Sequence, residues 1–538
     1  MGPAAGAAVQ APQASPATEA EVQAARIAWK TCPEEAYPSP DLAEALYPRL
    51  QCGTFKVPFD YDRPNGRKFT LALQKLPAAG TKVGTLFTNP GGPGSPGLNS
   101  WVLPATSGSL QRSFDLVGFD PRGIGETKPA FDCDADGAEP ANNPDVNWVR
   151  FTAQQARLTA RANRACQRKS ADFIAHVGTN NVVRDLDAMR AAVGDRKLTY
   201  WGMSYGTRIG YVYAYRYPKR VRAILLDGPV TPDGSWADFA DVRSVSNDEA
   251  LRFIRAVSPA TYAAVISTRD SLFASRLGIG TPGKRMRLGG YAWLSLISNR
   301  LLLQQANWPQ ITQLAKVVST ARIVGPGGDE ARAQLRRLVT GGGSEVGSDP
   351  GLAPDGGANS AINCSDYADR PNARQRARIV RNVVSRAPVF GGLTAAGSVP
   401  ACMGYTFRAD PVPKIASPAS LARVAKLKLA ISDSTADAAT PLVWGRAMTR
   451  AFPSAFEVTQ RTGNHVNFLS TESNCVDNPL REYLVTRKMA PRRTMCLFTA
   501  PEGLDMAAVA AGKQSVEPSA DPTDVADTIL RNNLLRGQ

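Results

Sequence analysis

Gly202-Met203-Ser204-Tyr205-Gly206 matches the pattern Gly-x-Ser-x-Gly. A serine at its centre is a nucleophile if the chain turns sharply there. The residues two away must then lack a Cβ that would clash. A helix starting just after such a turn aims N–H groups and its dipole at developing negative charge. A serine hydroxyl still needs a base. The chain has only two histidines, His176 and His465. With a nucleophile on this kind of elbow, the acid and then the histidine follow in chain order. His176 precedes Ser204, so order selects His465, in Thr462-Gly463-Asn464-His465. His176 is left a capping or packing role. The acid should lie between them, in Ser432-Asp433-Ser434-Thr435-Ala436-Asp437. Asp433 and Asp437 both qualify, and position favours Asp437, in the loop that would reach His465. Its task is to hold the imidazole tautomer and stabilise the imidazolium. The oxyanion needs backbone donors. Tyr205, just after the nucleophile, supplies one. Gly92, in the turn Asn89-Pro90-Gly91-Gly92-Pro93-Gly94, is the choice for the other. A second turn, Asp120-Pro121-Arg122-Gly123-Ile124-Gly125, buttresses the region.

These residues need a scaffold. Phe69, Leu71 and Leu73 alternate as in a half-buried strand. Apolar runs at Gly84–Thr88, Phe114–Phe119 and Leu198–Trp201 each end in a glycine-rich turn. Val182, Leu186, Met189 and Val193 share one helix face, stopped by Gly194. Thr207–Tyr217 reads as a helix and Arg222–Leu226 as a strand. This alternation predicts a mostly parallel sheet covered on both faces. Residues 234–412 are helical in period, with a Gly-rich interruption around 341–358. The strand rhythm resumes at Leu427–Ile431 and Ala455–Thr459. The expected organisation is an N-terminal tail (1–31) whose first 30 residues run into a short helix. A core follows in two parts (32–233 and 413–500), split by a helical cap (234–412). A C-terminal tail (501–538) carries a helix over Thr523–Arg536.

Composition narrows the function. Among 538 residues, 63 Lys and Arg exceed 47 Asp and Glu, a net charge of +16. The basic residues are dispersed, so a solvated surface is expected rather than a nucleic-acid partner. No run of 18 apolar residues exists, so no integral membrane segment is expected. No dinucleotide fingerprint or metal-ligand spacing is present, and no cofactor or metal is implied. The eight cysteines are Cys32, Cys52, Cys133, Cys166, Cys364, Cys402, Cys475 and Cys496. None forms a Cys-x-x-Cys pair. An even, dispersed set suits disulfides, and pairing in sequence order is the simplest connectivity. That places the protein outside the cytosol, secreted or in the periplasm or cell envelope. Residues Met1–Pro16 show no leader-like basic start or apolar core.

Taken together, the motifs resemble the α/β-hydrolase superfamily. More narrowly they resemble the secreted bacterial tripeptidyl aminopeptidases, relatives of proline iminopeptidase. The likeness is carried by NPGGPG at 89–94, DPRGIG at 120–125, VVRDLDAMRAAVG at 182–194, YWGMSYGTRIG at 200–210, AINCSD at 361–366, DAATP at 437–441 and GNH at 463–465. It implies an α/β-hydrolase fold with a large helical cap. It makes Asp437 the acid and supports disulfides and export. It implies an exopeptidase releasing short peptides from substrate N-termini; the same triad would equally serve an esterase or amidase acting on a small acyl substrate. In such aminopeptidases carboxylates bind the substrate amine, and Asp366 is the positional candidate. One departure is Ser95-Pro96-Gly97 after the oxyanion turn, where the family continues Gly-Ser-Gly. Another is charge: residues 234–400 hold 20 basic and 12 acidic residues, which does not favour a cationic substrate.

Overall fold

The computed structural model describes residues 26–497 apart from 39, 132, 134–140, 171–172, 280–285, 299–304, 306–307, 341–356 and 472. Its centre is built from the apolar runs noted above. β1 (Ala28–Thr31), β2 (Gln51–Pro58), β3 (Lys68–Leu76), β4 (Gly84–Asn89), β5 (Phe114–Phe119), β6 (Leu198–Met203) and β7 (Val221–Asp227) come first. The hairpin β8 (Leu277–Ile279) and β9 (Met286–Leu288) lies within the insertion. β10 (Ala430–Ser434), β11 (Phe456–Arg461) and β12 (Arg493–Leu497) complete the set. Ten of these strands form one sheet, ordered β1-β2-β3-β5-β4-β6-β7-β10-β11-β12. The pairings from β5 to β12 are parallel, and β1, β2 and β3 add an antiparallel edge.

Every residue of β4, β6 and β10 is buried, as strands covered on both faces must be. Alternation splits their side chains between two cores. Tyr200 packs with Leu186, Ile209 and Val212 on one face. Trp201 and Met203 pack with Leu86, Phe468 and Leu480 on the other. Each such large side chain stabilises the fold by about 1.5–3 kcal/mol relative to exposure.

Helices Thr179–Ala192 and Gly206–Arg216 fall where the sequence pattern put them. β10 does not. It begins three residues beyond the expected Leu427, because the Leu427 N–H closes a turn onto the Val424 carbonyl. The ladder with β7 starts at Ala430 opposite Leu225. The strand therefore runs through Ser432, Asp433 and Ser434. The segment expected to run into a short helix before residue 30 is described only from residue 26; there Ala28–Thr31 is a strand, paired with Gln51–Thr54, and the rest lies outside the described residues. The expected helix over Thr523–Arg536 lies outside the described residues.

β7 and β10 are hydrogen-bonded neighbours, yet roughly 200 residues separate them. The insertion leaves and returns at adjacent points of the sheet. Its helices include Trp236–Val257, Pro259–Ala274, Trp308–Thr320, Ala373–Arg386 and Gly391–Ser398. Leu251, Ile254, Val265, Trp293, Ile311 and Leu335 form their own core.

The cysteines pair in sequence order: Cys32–Cys52, Cys133–Cys166, Cys364–Cys402 and Cys475–Cys496. Cys475–Cys496 ties helix Asn474–Thr486 to the edge strand β12. Among the described residues, no helix is long and apolar enough to cross a membrane.

Candidate active site

β6 ends at Met203 and a helix begins at Gly206, leaving Ser204 on the corner. Its φ is +54°, a region L-residues rarely occupy. The Ser204 N–H is held by the Asp227 carbonyl at 2.8 Å. The elbow has no room for a side chain at Gly206, where a Cβ would stand 2.6 Å from the Asn89 carbonyl oxygen. Ser204 itself remains partly exposed in a buried setting.

The glycine-rich turn at 89–94 lies directly against the elbow. A Cβ on Gly91, whose φ is +110°, would come within 2.7 Å of the Met203 carbonyl oxygen and 2.8 Å of Ser204 Cβ. Gly91 is thus the glycine that touches Ser204. Its N–H, however, is spent on Asn89 Oδ1 at 3.1 Å. The N–H groups of Gly92 and Tyr205 find no acceptor among the described residues. Two unengaged donors beside the serine are what an oxyanion requires.

Asp437 sits in the loop after β10, with its side chain buried. Its Oδ1 accepts the N–H groups of Ala439 (2.6 Å) and Thr440 (2.8 Å). Its Oδ2 accepts the Thr440 hydroxyl at 2.7 Å and meets His465 Nδ1 at 2.8 Å. With Nδ1–H donated to this carboxylate, the imidazole lone pair is on Nε2. His465 is partly exposed, like Ser204. A Cβ on Gly228 would stand 3.3 Å from His465 Cε1. Gly228 follows Asp227, the residue whose carbonyl holds Ser204, so the histidine and the serine share one stretch of backbone.

The loop beyond His465 is strained. Val466, a β-branched residue, has φ +71°. Asp227 holds it, accepting the N–H groups of Asn467 and Phe468 at 3.1 Å each. Asn467 Nδ2 also donates to the Asp433 carbonyl at 2.9 Å, and its Oδ1 accepts the Ser434 hydroxyl at 3.0 Å. Burial pushes the Asp227 carboxyl up to about 6. Neither Asp227 nor Thr440 emerges from the sequence reading. The Asp227-Gly228 pair closing a strand is the signal that marks the first. The Thr of DAATP, three residues after the acid, marks the second.

The other candidates lie elsewhere. Asp433 is within β10, with its carboxyl toward Gly445 and Glu457 rather than His465. Burial and the neighbouring Glu457 carboxylate push it well above the usual range. His176 packs on Phe59 with ring centroids 5.6 Å apart. Its carbonyl accepts from Arg122 Nη1 and Asn181 Nδ2.

Asp366 is fully buried at the end of helix Ala358–Asp366. Its Oδ2 meets Arg208 Nη1 at 2.9 Å and accepts the Thr179 hydroxyl. Its Oδ1 accepts the Thr179 N–H at 2.7 Å. Thr179 Oγ1 also bonds the Tyr205 hydroxyl at 2.7 Å. The structure therefore places Asp366 in an ion-paired network behind the elbow, where its charge is already matched by Arg208. Among the described residues, no group of three or more His, Cys, Asp or Glu side chains is placed to hold a metal.

Residues 84–268 match the α/β hydrolase fold family, and residues 387–496 match the TAP-like protein family. The serine protease Hip1 of Mycobacterium tuberculosis is 30% identical over 471 residues, spanning 83% of this chain and 87% of that one. Carboxylesterase B of the same species is 29% identical over 520 residues, spanning 91% and 93%. The tripeptidyl aminopeptidase of Streptomyces lividans is 33% identical over 218 residues, spanning 36% and 41%. With this fold, these motifs and a relative 30% identical over most of both chains, the chain belongs to the TAP-like serine hydrolases of the α/β-hydrolase family.

Proposed function

We propose that this serine hydrolase is an exported exopeptidase that releases short peptides, of two or three residues, from substrate N-termini. The observation that carries the mechanism is the 2.8 Å contact of Asp437 Oδ2 with His465 Nδ1, beside a serine at φ +54°. Ser204 Oγ attacks the scissile carbonyl carbon. His465 Nε2 takes the hydroxyl proton and passes it to the leaving amine. Asp437 holds the tautomer and balances the imidazolium. The Tyr205 and Gly92 N–H groups bind the oxyanion. Water, activated by the same imidazole, then releases the acyl group and restores the serine proton. The insertion over 234–412 serves as the cap that limits access. Export is supported by the four disulfides, which persist in oxidising compartments.

Peptide substrates are supported by the likeness to Hip1 and to tripeptidyl aminopeptidase. A second reading, hydrolysis of small acyl esters or amides, is favoured by the likeness to carboxylesterase B across most of both chains. The same nucleophile and base serve either substrate. The test is a panel of dipeptidyl and tripeptidyl anilides, with free and blocked N-termini, set against short- and long-chain acyl esters. Preference for free-amine tripeptides is expected. Equal turnover of blocked peptides and esters would remove the aminopeptidase reading and leave the esterase.

A further inference from the structure

The loops that carry the proposed chemistry are each gripped by a side chain from the insertion. In the acid loop, the carbonyl of Ala438, next to Asp437, accepts two donors from helix Trp236–Val257. They are Arg243 Nη1, at 2.6 Å, and the Ser246 hydroxyl. The Ala438 side chain is itself part of the insertion's apolar core. Gln305 holds the histidine loop. Its Oε1 accepts the Thr462 hydroxyl at 2.7 Å and the Gly463 N–H at 3.2 Å. Its own N–H donates to Asn464 Oδ1. Those three residues immediately precede His465. Trp308 closes over the same loop, so near that a Cβ on Gly463 would stand 2.6 Å from its ring. At the oxyanion turn, Asn359 Nδ2 donates to the Pro93 carbonyl at 2.9 Å, one residue beyond Gly92.

A cover that only restricted access would rest on the rim. This insertion instead supplies hydrogen bonds to buried groups of three separate catalytic loops. Lifting it would leave the Ala438 carbonyl, the Gly463 N–H and the Thr462 hydroxyl without these partners. The loops themselves are irregular backbone, and Val466 is strained, so they have little reason to keep their geometry alone. We propose that the insertion is a three-point clamp. Arg243 and Ser246, Gln305, and Asn359 act as positioning residues that set Asp437, His465 and the oxyanion turn in register. The inference rests on the Ser204–His465–Asp437 reading above. It adds that the site is assembled only while the insertion is seated, so substrate entry and base activation are coupled.

The test uses the full chain and a small fluorophosphonate, which needs Ser204 and its base but no peptide subsite. Gln305→Ala and the double variant Arg243→Ala/Ser246→Ala should each slow labelling by ~10-fold or more. The kcat for a peptide anilide should fall by a similar factor, with KM within ~2-fold. Arg243→Lys with Ser246 intact should recover most of the rate. Labelling at the unmodified rate with a raised KM would overturn the proposal and make the insertion a substrate-binding cover. If the double variant melts well below the parent, Ser246→Ala alone decides. It keeps one donor on Ala438 and should still slow labelling by ~2-fold or more, whereas an unchanged rate refutes the clamp. If Ser204→Ala still labels, it is the nucleophile assignment that fails, independently of the clamp.

Discussion

The carbonyl of Asp227 holds the Ser204 N–H at 2.8 Å, while its carboxylate holds the N–H groups just beyond His465. One residue thus ties the proposed nucleophile to the loop of the proposed base, and it does so while fully buried. The groups facing its carboxyl are the Ser432 hydroxyl, the two N–H groups and the His465 imidazole. Burial is the largest influence and pushes the carboxyl from 3.8 to about 6. The sign follows from proton counting. Between pH ~4 and ~6 the folded chain holds this proton more tightly than the unfolded chain. Its contribution to stability therefore declines as pH rises through that window, by about 3 kcal/mol for a shift of ~2 units. Asp227→Asn removes this dependence. Urea unfolding at pH 4, 5, 6 and 7 should show the variant-minus-parent difference moving in the variant's favour as pH rises. A difference that stays flat would mean that Asp227 does not titrate there.

Chain order and structure separate the two histidines, and kinetics should do the same. His465 meets Asp437, whereas His176 sits half-buried on Phe59, its pKa lowered by burial. His465→Ala is expected to lower kcat by ~10⁴-fold or more. His176→Ala should stay within ~3-fold, because it loses packing only. Comparable losses would undo the assignment of the base.

The parts of this site that were legible in the sequence are those that local sterics dictate. Ser204 needed an elbow, and the glycines declared one. The apolar runs of β4, β5 and β6 declared the central sheet. Asp437 was separable from Asp433 only by position and resemblance, since both follow the strand expected over Leu427–Ile431, whereas Asp433 in fact lies within β10. The tertiary partners were not legible. Asp227 acts on Asn467 across 240 residues, and no local pattern encodes that bond. Arg208 reaches Asp366 across 158 residues, so an acidic side chain suited to an amine turned out to have a partner already. β12 was missed because an edge strand with outward Met495 and Leu497 lacks the continuous apolar run of a central one.

The Asp366–Arg208 pair decides between two roles. Both side chains are buried, and Asp366 also accepts two bonds from Thr179. Removing one member of such a pair leaves a buried charge uncompensated. Asp366→Ala should destabilise the fold by about 3–5 kcal/mol, read as a lower denaturation midpoint. Asp366→Asn, which keeps an acceptor, should cost less. If Asp366 instead received the substrate amine, these variants would raise KM for free-amine peptides while leaving the midpoint in place.

Thr440 offers the finest test of how the acid is held. Its hydroxyl donates to Asp437 Oδ2 at 2.7 Å and lies 3.1 Å from His465 Nδ1. It shares the carboxylate oxygen that the imidazole uses. Thr440→Val keeps the shape and removes that bond. The Thr440 N–H still reaches Oδ1, so the loop should keep its path. A hydrogen bond to a charged group contributes about 1.5–3 kcal/mol. If a third to a half of that stabilises the working Asp437–imidazolium pair, kcat falls by ~2- to 13-fold, since 1.36 kcal/mol is tenfold. Thr440→Ser should restore the parent rate by restoring the hydroxyl. The effect belongs in kcat and in fluorophosphonate labelling, with KM unmoved. A loss seen with Thr440→Val and equally with Thr440→Ser would point to side-chain packing against the loop, and not to the hydroxyl, as what Thr440 supplies.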